Sequence, residues 1–272
     1  MTVINTNVSA LRAQNGTRMA NEALQTAMER LSSGKRINSA KDDAAGLAIS
    51  SSMTSQIRGM TQAVRNANDG ISMAQTADGA LDEVTNMLQR IRELAVQASS
   101  GTYSSSDRTN LQTEVTALAA QITSITSNTK FNGVGLFTGS AGSSGTVTIQ
   151  TGSSSGDTVN MDFTALNLSA VSSVNLATST GATAAMGSVD TLLTTVNTKR
   201  ATLGAAESRL GSVVNNLTSN ITNLSDARSR IQDADFGTET TNLAKSQILA
   251  QASTAMLAQA NQSQQSVLKL LG

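Results

Sequence analysis

Few side chains in this sequence are arranged to do chemistry. Asp42-Asp43 is a carboxylate pair of the type that can hold a metal ion, Asp233 and Asp235 flank a single alanine, and Gly133-Val134-Gly135 has the start of a phosphate-cradling loop. None of the three completes a site. Adjacent carboxylates point away from each other on a helix, so Asp42 and Asp43 read as first-turn acids favouring a helix N-terminus, and Asp233 and Asp235 read the same way before a C-terminal helix. The glycine run is too short for a phosphate loop, and no Lys with Ser or Thr follows it. The chain has no His and no Cys, which removes the commonest general base, the commonest metal ligand and the best nucleophile together. Ser-His-Asp hydrolysis, zinc chemistry and thiol chemistry are excluded by composition. No cofactor is expected, and an enzyme is the remotest reading.

The same composition suits a structural chain. Of 272 residues, 39% are hydrophobic but only 2% aromatic, with no Trp, one Tyr and four Phe. Such a core must be built from Ala, Leu, Val, Ile and Met, which favours narrow bundles whose backbones approach closely. Charged residues make up 14% and balance to zero, so the basic field needed for nucleic acid or an anionic membrane is missing. No apolar run is long enough to span a bilayer. The chain has no Pro, so nothing interrupts a helix from within. The opening Met1-Thr2-Val3-Ile4-Asn5-Thr6-Asn7 lacks a charged n-region and an apolar h-region, so export by an ordinary cleaved signal is not expected.

The elements that position these residues are read from periodicity. Met60, Ala63, Ala67, Gly70, Ala74, Ala77, Leu81, Val84, Leu88, Ile91, Ala95 and Ala98 recur at alternating threes and fours, a heptad seam that predicts one helix from about Ala44 to Ala98. At 1.5 Å per residue it would be a rod roughly 80 Å long. Leu111, Val115, Leu118, Ile122 and Ile125 predict a shorter helix capped by Ser106 or Asp107. Val189, Leu192 and Val196 lead into a third seam of Leu203, Ala206, Leu210, Val213, Leu217, Asn220, Leu224, Ala227 and Ile231. Asn220 falls on that seam, where a buried amide would cost stability but fix register. Residues 138–188 turn to Gly, Ser and Thr. Thr146–Gln150 and Val159–Phe163 alternate at period two and predict a β-hairpin. With few large apolar residues, this region is expected to be a small cap at one end of the bundle, the rest of it mobile.

The chain ends carry more apolar surface than one helix face can hide. At 100° per residue Ile4, Val8, Leu11 and Met19 fall together, while Ala13, Ala20, Leu24, Ala27, Met28 and Leu31 fall roughly opposite. Leu249, Ala252, Met256, Ala260, Val267 and Leu271 form one stripe of the C-terminal segment, and Leu243, Ala250, Leu257 and Leu268 form another. A surface helix needs one apolar face. Both ends are therefore expected to be disordered in a free monomer and to fold when neighbouring subunits bury them, since isolated helices of this length are marginal. The alternative is a flexible amphipathic tail for an unrelated partner.

Specific residues then resemble a known family. Arg30-Leu31-Ser32-Ser33-Gly34-Lys35-Arg36-Ile37-Asn38-Ser39-Ala40-Lys41-Asp42-Asp43-Ala44-Ala45-Gly46-Leu47-Ala48-Ile49 resembles the N-terminal signature of bacterial flagellin, as do Ile4-Asn5-Thr6-Asn7, Arg65–Ser72 and Leu88–Gln97. Ala227–Phe236, Gln247-Ile248-Leu249 and Ala255–Gln262 resemble its C-terminal signature. The likeness covers about residues 1–137 and 190–272. It implies a compact member of the family, without large outer domains. The fold expected is mainly α, a long antiparallel helical bundle from both chain ends with a small β-hairpin region in the middle. Residues 1–45 and 229–272 would form a terminal coiled coil lining a filament core. Residues 46–228 would form a helical rod domain, with the hairpin cap at about 131–188.

The resemblance further implies a secreted subunit that assembles with copies of itself into an extracellular flagellar filament, exported unfolded and folding at the filament tip. Its implied partners are sibling flagellins, hook–filament junction proteins, a filament cap and an export chaperone, with no nucleic acid and no membrane insertion. Animal receptors of the Toll-like class read a patch on many members, and the matching positions are Gln89, Arg90, Leu94 and Glu114. Two other readings stay open: a hook–filament junction protein, which shares the end-helix architecture, and a coiled-coil adaptor with folded ends and a defined small oligomer.

Overall fold

A computed structural model describes residues 6–269, apart from the side chains at 264 and 266–269. Its elements are α1 (Val8–Ser33), α2 (Ala44–Ser99), α3 (Ser105–Asn128), two short hairpins, β1 (Lys130–Phe131) with β2 (Val134–Gly135) and β3 (Thr146–Gln150) with β4 (Thr158–Asp162), a 3₁₀ turn at Ser169–Ser173, α4 (Ser179–Gln232) and α5 (Phe236–Lys269). The fold is mainly α. Two compact units divide the chain, Met1–Ile57 with Thr222–Gly272, and Arg58–Ile221; α2 and α4 contribute residues to both.

In the second unit the seam read on α2 is the buried face. Ala63, Ala67, Ala74, Ala77, Leu81, Val84, Leu88, Ile91, Ala95 and Ala98 are each no more than 1% exposed. All of these but Ala63 share a core with Val115, Ala119 and Ile122 of α3 and with Val189, Leu192, Val196, Leu203 and Leu210 of α4. Each large side chain buried there is worth about 1.5–3 kcal/mol. Ion pairs fix the antiparallel order of α2 and α4: Arg200 meets Asp78 at 2.8 Å and Asp82 at 3.0 Å, and Arg92 meets Asp190 at 2.7 Å. Exposed pairs of this type add little stability; their use is in setting register. Gly70 lies on the seam because a Cβ there would come within 3.1 Å of Leu210 and 3.2 Å of Ile149.

The region between α3 and α4 departs from the expected end cap. It lies along the helices: Asn66 Nδ2 donates to the Gln150 carbonyl, Gln112 holds the Val174 carbonyl and the Leu176 N–H, and the Ser179 hydroxyl donates to the Ser99 carbonyl. Leu136, Phe137, Met161, Phe163, Val171 and Leu176 are buried in the same core as the helices. The segment needs no core of its own because it completes the core the helices leave open, and two of the chain's few Phe residues do much of that filling. The β3–β4 ladder runs from Thr146 opposite Asp162 to Gln150 opposite Thr158, with Val159, Met161 and Phe163 on the buried side. Lys199, 8% exposed, reaches from α4 to Asp162 and to the Thr164 hydroxyl, each at 3.0 Å.

Three local expectations are corrected. The cap of α3 is Ser104, in a reciprocal box with Asp107 at its third residue, rather than Ser106 or Asp107 itself. Helix α4 begins at Ser179, inside the stretch read as Gly/Ser/Thr-rich. Asn220 is exposed and donates from Nδ2 to the Asn216 side chain at 2.9 Å, so it buries no amide in this chain. Leu217 is buried and Leu224 half-buried.

Candidate functional site

The first unit is built around a chain reversal. Helix α1 ends at Gly34 with φ of 69°, a left-handed conformation that glycine adopts without a Cβ penalty. The next residues bond to the end of α4 and its link to α5: the Gly34 carbonyl accepts from Ala234 N at 3.0 Å, Arg36 N donates to the Gln232 carbonyl at 2.7 Å, and Lys35 bridges Asp233. Ile37, 1% exposed, then packs over Gly46, where a Cβ would lie 2.7 Å from its Cδ1.

The acids flagged in the sequence are used in this reversal. Asp43 caps α2, accepting from Gly46 N at 2.8 Å, and so precedes the first turn rather than lying in it. Asp42 accepts from the N–H groups of Ser39 and Asn38, which hold its carboxyl below the ordinary range. Asp235 caps α5, accepting from the Thr238 hydroxyl at 2.8 Å and Gly237 N at 3.0 Å, and its carboxyl is lowered by them. Asp233 lies in the backbone bridge to Lys35.

From that reversal α5 runs back antiparallel along α1. Arg30 meets Glu239 at 2.9 Å, Gly16 faces Ser253, and Asn7 Nδ2 donates to the Ala260 carbonyl at 3.0 Å. The α5 face toward α1 is Glu239, Leu243, Ser246, Ala250, Ser253, Leu257 and Ala260, at alternating fours and threes, and all are buried or half-buried. Ala13, Thr17, Ala20, Leu24, Ala27 and Leu31 oppose them on α1. Small residues dominate both faces, so the helices lie close and the large apolar side chains are left elsewhere. Glu239 is 5% exposed and accepts from Asn242 and from Arg30, which lower its carboxyl in that order.

What the seam leaves outside is the candidate site. Val8, Leu11, Met19 and Met28 on α1 and Leu249 and Met256 on α5 are between 43% and 63% exposed, and Ile248 and Phe236 more so. Two adjoining grooves, about 500 and 610 Å³, run between the helices. Their small floor residues are Gly16, Ala20, Ala27, Ser246, Ser253 and Ala260, Arg12, Arg30, Glu239, Asn242, Lys245 and Gln259 also line them, and Met19, Leu249 and Met256 stand at their rim. Small floors beside large apolar rims are the holes and knobs of helix packing. No helix of the described residues is long and apolar enough to cross a membrane.

Of the residues singled out at the chain ends, Leu24, Leu31 and Leu257 lie on the internal seam, half-buried. Val8, Leu11, Met28, Leu249 and Met256 lie outside it. Ile4 and Leu271 fall outside the described residues, as does the side chain of Val267. Sequence reasoning missed Arg30, Glu239 and Asn7 as the polar pins of the seam. It read Leu243, Ala250 and Leu257 as one stripe but missed the interleaved Glu239, Ser246 and Ser253, and put Ala260 on the other stripe; the signal is present once Ser and Glu are admitted to seam positions. In the receptor-type patch Gln89, Arg90 and Glu114 are exposed, and Arg90 pairs with Glu114 at 2.9 Å and Glu93 at 3.0 Å. Leu94 is corrected: at 1% exposure it faces the core with Ile91 and Ala98, and is closed to any partner in this conformation.

Known proteins resemble this chain along its length. Residues 4–142 match the model of the bacterial flagellin N-terminal helical region, and residues 186–271 that of the C-terminal helical region. A flagellin of Halalkalibacterium halodurans is 44% identical over 273 residues, and one of Xenorhabdus nematophila 44% identical over 309; each alignment covers 99% of both chains. The crystal structure of Bacillus cereus flagellin matches with a TM-score of 0.52 at 33% identity, over 60% of this chain and 94% of that one. A putative flagellar hook-associated protein from Vibrio parahaemolyticus matches with a TM-score of 0.60 over 71% of this chain and all of that one; at 16% identity this likeness concerns the fold alone.

Proposed function

The chain belongs to the bacterial flagellin family and is a structural subunit of a flagellar filament, and we propose that the outer apolar stripes of its α1–α5 pair are the surfaces by which copies lock together. The observation that carries this is the placement of Met19, Leu249 and Met256 at the rim of grooves lined by Gly, Ala and Ser, each exposed among the described residues. A neighbour's large side chains fit those floors, while these rims enter the floors of a different neighbour. Such a contact joins unlike patches and, where its rotation does not close a ring, repeats as an open helix. Covering a large apolar side chain fully is worth about 1.5–3 kcal/mol. Even at half that for each of the partly covered side chains, the total is of the size needed against an association cost of roughly 4–15 kcal/mol.

The finer reading follows from the same surface. A subunit bearing bare apolar stripes is best kept unfolded or escorted until it reaches its place, which fits secretion through the flagellum's own export apparatus, an escorting chaperone and folding under a filament cap. Sibling flagellins and hook–filament junction proteins would meet the same stripes. A receptor of the Toll-like class would meet Gln89 and the Arg90–Glu114 pair, with Leu94 beneath them. No catalysis is assigned to the chain.

Met256→Glu tests the interface. A charge at the groove rim should abolish filament growth, followed by light scattering and electron microscopy, while the circular dichroism of the Arg58–Ile221 unit is unchanged. Normal filaments from this variant would remove α5 from the interface.

A further inference from the structure

The proposed interface coincides with the most oxidisable surface of the chain. The sequence has no Cys, Trp or His, and its ten Met are its main reserve of readily oxidised sulfur. Among the described residues the Met side chains divide sharply by unit and element. Met60, Met73 and Met161 are buried, and Met53, Met87 and Met186 are half-buried. Those more than half exposed are Met19, Met28 and Met256, at 60%, 53% and 63%, and all of them lie on α1 or α5.

We propose that Met19, Met28 and Met256 form an oxidation-sensitive modification site that blocks assembly when hydrogen peroxide or a related two-electron oxidant reaches the unassembled subunit. The proposal rests on the reading of α1 and α5 as the interface. The terminal peroxide oxygen transfers to the thioether sulfur, the O–O bond breaks, an S–O bond forms and water leaves. The sulfur loses two electrons and the peroxide gains them. The product is a polar, chiral sulfoxide in place of a flexible apolar side chain. Met19 and Met256 stand at the rim of grooves floored by Gly16, Ala20, Ser253 and Ala260, with Arg12 and Gln259 beside Met256 and Asn242 and Lys245 lining the groove of Met19. A sulfoxide pressed there against a neighbour's apolar side chains replaces apolar contact with a polar group that must be desolvated, and each such group weakens an equilibrium about tenfold. Susceptibility follows exposure, so these side chains react before those of the core. Once a neighbour covers them they are protected, and the filament resists an oxidant that disables its free subunits.

The test is peroxide treatment of the purified full-length chain, with peptide mass mapping and a polymerisation assay. Met19, Met28 and Met256 should gain oxygen before Met60, Met73 and Met161, filament growth should fall at least tenfold, and methionine sulfoxide reductase should restore it. For the triple variant Met19→Leu, Met28→Leu, Met256→Leu, which keeps side-chain volume, growth after treatment should equal its own growth before treatment, whatever that untreated rate is. Preformed filaments should show these three residues unmodified. Unimpaired growth of the fully oxidised chain would overturn the proposal, as would loss of growth that reductase does not reverse. An untreated chain that forms no filaments would instead overturn the reading of the interface, and the proposal with it.

Discussion

Glu239 is a carboxylate at 5% exposure whose partners are Arg30 and Asn242. Its folded pKa is depressed below the ordinary 4.5, so the stability it contributes is present above pH 4.5 and is lost as pH falls through the folded value. Glu239→Gln should weaken the α1–α5 pair by on the order of 1–3 kcal/mol at neutral pH. It should also flatten the acid loss of protection, as read by hydrogen exchange of the α5 amides across that range. An unchanged acid profile would place the loss elsewhere. Single residues were the least legible part of the sequence. Leu94 belongs to the core because it falls one residue before Ala95 and three after Ile91 on the buried face, which a motif match does not weigh. Asn220 sits at a seam position by count, yet its amide turns back to Asn216 one helical turn earlier.

Elements were easier to read, where a period runs long. The seam from Met60 to Ala98 marks α2 to within a residue of its observed end, and alternation about a Gly/Ser turn marks the β3–β4 hairpin. Periodicity fails where small residues carry the packing. The start of α4 at Ser179 is written in Gly, Ala and Thr, and outside the hairpin the chain from Leu136 to Leu176 has no repeating apolar spacing because it fits one irregular surface. Helix starts are similarly subtle, since a cap depends on which of several neighbouring polar residues reaches back. Asp43 and Ile37 close the start of α2 around Gly46, where an added Cβ would lie 2.5 Å from the Asp43 carboxylate and 2.7 Å from Ile37. Gly46→Ala should therefore destabilise the chain by about 1–3 kcal/mol, measured by urea unfolding. A neutral result would mean that the cap and Ile37 can both shift aside.

At the scale of the whole molecule, the two units hide their apolar residues to different degrees. In Arg58–Ile221 the large side chains face a shared core, whereas α1 and α5 spend small residues on each other and hold large ones outward. Two stripes on each terminal segment were legible in the sequence. Their division into an inner seam and an outer surface was not, because it depends on the register in which Arg30 meets Glu239 and Asn7 meets Ala260. The proposed assembly of copies rests on that division. The most direct test is negative-stain electron microscopy of the purified chain after a salting-out agent is added, beside a version lacking residues 236–272. Long uniform filaments from the intact chain alone are the predicted result. Filaments from both versions, or discrete dimers or tetramers from both, would contradict assembly through α5.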